Sequence, residues 1–378
     1  MPRSTGAEVA LNEVMPGLKR MSHRRDRRHR EGDRTALSLF VLTGLVIAAL
    51  LAFGFSIMTG ASDASIVDVI GSMVSGSADN TLSSRDRIII FDIRLPRAIL
   101  GFLIGGGLAV SGAVMQGLFR NPLADPGLIG ISAGSSLGAV GMIVLGGGIL
   151  APVAHIFGIF SLPISAFGGG LVTTILLYRV ATRQGLTSIA TMLLAGIALG
   201  ALALAATGLL IYMADDRQLR DLTFWSMGSL AGATWTKIAA TGPIIILSML
   251  PLPFMARGLN ALTLGEAAAF HMGVAVQRLK NIAIVSVAAA VGASVAVSGG
   301  IGFVGIIVPH ILRMAIGPDH RFLLPASALL GGSLLIIADV LARTIVSPAE
   351  LPIGIITAGV GGPFFLWMLL RQRSRLSL

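Results

Sequence analysis

The chain has 378 residues, of which 54% are hydrophobic and only 12% charged, with a formal net charge of +10. A soluble domain carries about a quarter charged residues, so the bilayer, not water, must be the solvent for this much apolar surface. Cysteine is absent, which excludes disulfides, iron–sulfur clusters and thiol chemistry.

The charge is concentrated at the start. Nine of the 28 Lys and Arg lie in the first 34 residues, densest in "RRDRRHREGDR" (24–34). Residues 1–35 read as a basic, disordered cytoplasmic tail that fixes orientation by the positive-inside rule, in preference to a nucleic-acid-binding arm. The twin arginine pairs are reminiscent of an export signal. The apolar run behind them is too long for a signal-peptide core and lacks a small-residue cleavage site.

A membrane-spanning helix needs about 20 apolar residues. Ten candidates follow, near 36–59, 94–117, 127–148, 152–178, 188–212, 234–253, 281–298, 303–316, 322–342 and 352–370. The eighth is short and contains Pro309. An even number puts both termini on one face, and the basic string "RQRSRL" after the last span agrees with the basic N-terminus. With both termini cytoplasmic, 20 Lys and Arg fall inside and 8 outside. Acidic residues divide 8 inside and 9 outside, with Asp339 left within a span. Only the basic residues are skewed, as the rule requires. The fold class is all-α, a polytopic membrane protein whose transmembrane domain covers 36–372.

At the outer start of the second span stand Arg94 and Arg97, three residues apart and so on one helix face. Pro96 between them suits a first helical turn. Cations at a helix N-terminus oppose its dipole. The pair therefore either snorkels into the headgroup region or meets an acidic partner, and the residues alone leave both open. A third outer arginine, Arg343, ends the ninth span four residues after Asp339, the favourable acid-then-base order. Asp339 is expected to orient Arg343 and to be neutralised by it.

Ion-coupled carriers generally need intramembrane carboxylates or unwound cation sites. Asp339 is the one carboxylate placed inside a span, and it has a partner. A phosphate-binding P-loop needs Gly-Lys followed by Ser or Thr, and Lys19, Lys237 and Lys280 all lack the preceding glycine. Any ATP is hydrolysed by another polypeptide. A membrane-embedded enzyme would need a catalytic cluster inside the spans, and none is visible. The cytoplasmic string "ARGLNALTLGEAAAFHMGVAVQRLK" (256–280) reads as short helices around Gly265 and Gly273. On residues alone it is either a contact for such a partner or a helical pair on the membrane surface.

The strings "RLPR" (94–97), "SGAVMQGLFRNPLADPGLIGISAGSS" (111–136), "LNALTLGE" (259–266), "GGIGFVGIIVPHILR" (299–313), "GPDHRFLLP" (317–325), "ADVLAR" (338–343) and "ELPIGIITAGVGGPFF" (350–365) run in one order over residues 36–370. In them the chain resembles the FecCD-like permease subunits of ABC importers for iron–siderophores, haem and vitamin B12. The resemblance implies the ten-helix type II ABC importer permease fold. It implies a homodimer around one pathway, two ATPase subunits below and a soluble substrate-binding protein outside. The chain itself would hold no cofactor or metal, ATP and Mg residing on the ATPase, and no nucleic acid is involved. Localisation is the cell (inner) membrane. Matched residue by residue, Arg94, Arg97 and Arg343 would dock the binding protein, while Asn121 and Leu123 of "RNPL" would form the cytoplasmic gate. A further gate element is expected around Thr187 and Ser188. Leu264, Gly265, Glu266, Ala269 and Gly273 would lie in the segment that couples to the ATPase, with Met272 where the family has Leu. Pro122 and Pro126 keep the gate string out of regular helix.

For cargo, the outer string "DDRQLRDLTFWSMGSLAGATW" (215–235) resembles the haem branch. Trp225 and Trp235 read as interface anchors, and His155, His310 and His320 as poor candidates for haem ligands. The expected function is a permease subunit that moves haem inward. A ferric siderophore or vitamin B12 is the alternative within the class, and an ion-coupled secondary carrier is the distant one.

Overall fold

The computed structural model describes residues 34–60, 84–184 and 186–376. Residues 1–33 of the basic leader therefore lie outside the described residues, while Thr35 already opens the first helix. In chain order the helices are α1 (Thr35–Met58), α2 (Ser84–Ile88), α3 (Leu95–Leu118), α4 (Ile131–Leu145), α5 (Ala151–Phe157), α6 (Ser161–Ala181), α7 (Ile189–Met213) and α8 (Asp216–Ser226). Then come α9 (Trp235–Met249), α10 (Ala256–Leu262), α11 (Glu266–His271), α12 (Val276–Ser298), α13 (Val304–Ile316), α14 (His320–Thr344) and α15 (Ile353–Leu376). A two-strand hairpin, β1 (Thr182–Arg183) with β2 (Leu186–Thr187), joins α6 to α7. Among the described residues, 7 helical stretches are long and apolar enough to cross a membrane, and α4, α13 and α15 are shorter apolar helices. Together they account for the ten expected segments.

α3 is the hub. It is buried along almost its whole length and packs on α14, α12, α13 and α9. Small residues permit this. A Cβ at Gly105 would overlap the Gly331 backbone of α14, and one at Gly112 would overlap the Gly305 backbone of α13. In lipid, where apolar side chains gain little by leaving their surroundings, such close backbone approach carries helix association. α1 and α7 instead leave large apolar side chains exposed, among them Phe40, Leu50, Leu194, Leu202 and Leu204. Those faces are suited to lipid or to another protein.

Three elements depart from uninterrupted spans. The second does not begin at Arg94, because α2, a π-helical turn over Ile89–Arg94 and α3 form one continuous rod. The wider turn accommodates the Pro96 ring and its missing N–H. The third begins with a 3-10 turn over Pro126–Ile129 and a left-handed Gly130, φ +74°, ahead of α4. The fourth is divided into α5, a 3-10 turn over Gly158–Phe160 and α6, at Gly158 with φ +51°. On the outer side α8 is an amphipathic helix opened by a capping box between Asp215 and Gln218. Trp225 on α8 packs against Ala139, Ala166 and Ala296, and the Trp235 indole donates to the Phe91 carbonyl at 2.9 Å.

Candidate functional site

The outer arginines converge, but they face inward. Arg94, Arg97 and Arg343 are only 2%, 5% and 4% exposed, so of the two readings left open for the Arg94–Arg97 pair, snorkelling into the headgroup region does not hold. Arg94 donates to the carbonyls of Ile57 and Met58 at 2.9 and 3.2 Å. These are the open acceptors at the C-terminus of α1, where a cation is favourable. The dipole that Arg94 senses is thus that of α1, not of its own helix. Arg97 forms a fork with Asp339, its Nε lying 2.9 Å from both carboxylate oxygens and its Nη2 2.9 Å from Oδ1. Its Nη1 donates to Glu350 at 2.9 Å. Arg343 donates to the carbonyl and hydroxyl of Ser56 at 2.7 and 2.8 Å, while its Nε stays 3.8 Å from Asp339. The main partner of Asp339 is therefore Arg97 on another helix, not Arg343 as the spacing of four suggests. Together these bonds clamp the outer ends of α1, α3 and α14.

At the inner end of α3 the chain breaks as expected. Arg120 takes φ +52°, and the Asn121 carbonyl group of the side chain accepts from the Leu123 N–H at 2.9 Å. Asn121 is exposed and Leu123 half-buried. The chain then turns back into the protein, where a Cβ on Gly130 would touch Gly196 of α7 and Thr173 of α6. This carries Asp125 inward. It accepts from the Gly127 N–H at 2.7 Å and lines a cavity of about 270 Å³ with Ser132, Leu108 and Gly302. Sequence reasoning placed Asp125 in the inner loop and missed that it is a second interior carboxylate. The Pro-bounded, non-helical string was the available signal, since a broken segment can fold back along the spans.

The 256–280 segment begins with two short helices. Gly265 at φ +106° and Gly273 at φ +82° occupy conformations that strain any residue with a Cβ, which fixes the bends on either side of α11. Leu264, Phe270 and Met272 are exposed, whereas Ala269 is fully buried. Glu266 accepts from Lys280 at 2.8 Å, and the same ammonium donates to the Thr187 carbonyl at 2.8 Å. Gln277 grips Thr187 through its N–H and its hydroxyl, at 2.9 and 2.6 Å. Ser188 caps α7. The segment is thus tied to the start of the fifth span, through residues whose joint role was not visible in sequence.

A second tie reaches α14. The Asn260 side-chain oxygen accepts from the His320 N–H at 3.0 Å and lies 2.7 Å from His320 Nδ1. Its amide donates to Asp319 at 2.7 Å. Burial pushes the Asp319 carboxyl up, but bonds from the Arg321 guanidinium and N–H and from Asn260 outweigh it and hold the group at about 2. The histidines are dispersed. His155 lies on α5, His310 on α13 meets Phe364 edge-on, and His320 is buried at the start of α14. Among the described residues no His, Asp and Glu cluster has the spacing of a metal site.

A model of the FecCD transport family matches residues 46–371. The chain is 48% identical over 289 residues to the hemin transport system permease protein HmuU of Yersinia pestis, covering 76% of this chain and 85% of that one. It is 42% identical over 283 residues to the cobalamin import system permease protein BtuC of Halobacterium salinarum, covering 75% and 73%. To the vitamin B12 import system permease protein BtuC of Klebsiella pneumoniae it is 41% identical over 298 residues, covering 78% and 86%. Among solved structures it resembles an inward-facing conformation of a metal-chelate type ABC transporter, with TM-score 0.76 and 32% identity over 88% of this chain and 99% of that one.

Proposed function

The chain belongs to the FecCD transport family, and from that premise we propose that it is the haem-carrying permease of an ATP-driven importer, working as a homodimer with two ATPase subunits and a soluble binding protein. It is a multi-pass membrane transport subunit and not an enzyme. The observation that carries the choice of cargo is the 48% identity to a hemin permease, against 42% and 41% for two B12 permeases. The same importer carrying a ferric siderophore or B12 is the reading it displaces. Both termini are cytoplasmic, in keeping with the excess of basic residues on that face.

The parts divide by face. The exposed apolar Leu264, Phe270 and Met272, held on glycine-set bends, form the surface that seats in the ATPase. The Lys280–Glu266–Thr187 bonds carry that contact to the start of α7, the further gate element, while Asn121 and Leu123 form the gate at the end of α3. At the outer rim, docking requires an exchange. Arg97 is shared between the buried Asp339 and Glu350, whose side chain is 36% exposed. A carboxylate of the binding protein displaces Glu350 and takes its place on Arg97, with Arg94 and Arg343 adding positive potential.

Reconstitution in vesicles with the ATPase and a candidate binding protein tests the cargo. ATP-dependent entry of haem, with ferric siderophore and cobalamin left outside, is the expected result. Entry of either of those in its place assigns a different cargo.

A further inference from the structure

At the inner end of the first span lies an open cavity of about 580 Å³, bordered by the start of α1, the end of α13, the start of α14 and α10. Its size is that of a small-ligand pocket. Its charged lining is Arg34, Arg313, Arg321 and Asp319. Arg321 is neutralised by Asp319, with Nη2 and Nε 2.6 and 2.9 Å from Oδ2. The other two arginines have no carboxylate partner among the described residues. Arg313 donates to neutral acceptors, the side-chain oxygen of Gln116 and the Ala113 carbonyl. Arg34 leans over Gly317 and is the residue that opens α1. A cavity that gathers two guanidinium groups with no carboxylate partner among the described residues attracts an anion with several acceptor oxygens.

The surroundings select the source of that anion. α1 lines the cavity with Arg34, Thr35 and Ser38, and on the two flanks of that face it exposes Leu37 and Leu39. A molecule whose charged end fills the cavity therefore has an apolar surface along which its tails can lie. We infer that the cavity holds the phosphate of an anionic phospholipid headgroup, bound by Arg34 and Arg313, with its acyl chains against α1. The inference is independent of the cargo and needs only that α1 spans the bilayer. Because Asn260 and Thr263 also line the cavity, the lipid touches the segment that meets the ATPase.

Native mass spectrometry of the full-length permease, titrated with phosphatidylglycerol or phosphatidylcholine, tests it. Phosphatidylglycerol is retained and phosphatidylcholine is not. A basic residue near an anionic lipid surface contributes about 1 kcal/mol, or about fivefold in affinity, so Arg34→Gln and Arg313→Gln each weaken retention about fivefold. Arg183→Gln, an exposed arginine on the β-hairpin away from the cavity, leaves it unchanged. If Arg313→Gln fails to fold, Arg34→Gln decides alone. Equal retention of the two lipids, an equal loss in Arg183→Gln, or displacement of the lipid by inorganic phosphate overturns the inference. So does loss of bound lipid when the ATPase is added, which would make the cavity a protein contact.

Discussion

Asp339→Asn isolates the outer clamp. The substitution keeps the shape and one acceptor, but it removes the charge that faces Arg97. Asp339 is 2% and Arg97 5% exposed, and the two meet in a fork with contacts at 2.9 Å. Breaking a buried pair by neutralising one member costs about 3–5 kcal/mol, because the remaining charge is left uncompensated. Glu350 still holds Arg97 from the partly exposed side, so the lower figure, about 3 kcal/mol, is expected. Thermal unfolding of the detergent-purified permease should show a fall of several degrees in Tm. The paired change Arg97→Met with Asp339→Leu removes both charges and should recover most of the loss, since apolar replacements of buried ion pairs are often neutral or stabilising. The same double variant should still lose stimulation by the binding protein. A Tm for Asp339→Asn within about 1 °C of the unmodified chain refutes the clamp, since that shift corresponds to only about 0.8 kcal/mol against the expected ~3.

Four further outcomes follow from the geometry. Glu350→Gln removes the competitor for Arg97 and should tighten binding-protein docking, measured by surface plasmon resonance on the reconstituted complex; weaker docking contradicts the exchange. Phe270→Glu places a charge in the exposed apolar face of α11 and should lower co-purification of the ATPase without changing the Tm of the permease alone. Gly112→Ala sets a Cβ against the Gly305 backbone and should cost about 1–3 kcal/mol as overpacking, read as a lower Tm. Asp319 has a depressed folded value of about 2. Its contribution is therefore complete above the unfolded carboxylate value of about 3.9 and is lost as pH falls through about 2. The Tm difference between the unmodified chain and Asp319→Asn should accordingly hold near neutrality and shrink below pH ~4.

The ten apolar segments were legible because lipid imposes one demand, about 20 apolar residues per crossing, and each segment declares it independently. The bends at Gly265 and Gly273 were legible for a similar local reason. The partners of the arginines were not. Asp339 stands four residues from Arg343 in the chain, and helix spacing favours that pair. Yet the crossing of α3 and α14 brings Arg97 closer, and no local pattern encodes a crossing. The position of Asp125 was hidden in the same way, because the turn at Arg120 and Asn121 reverses the chain into the protein and only Gly130, against α6 and α7, records the depth. The Lys280–Glu266–Thr187 junction joins the 256–280 string to Thr187, 93 positions before Lys280 in the chain, and neither is distinctive alone.

The central claim is that the energy for transport reaches this chain from a separate ATPase through the α10–α11 segment. The most direct measurement is haem uptake by vesicles holding the permease under two conditions. With the ATPase, ATP and loaded binding protein but no ion gradient, uptake should proceed, and Phe270→Glu should abolish it. With a proton gradient and no ATPase there should be none, and uptake under that condition contradicts the account.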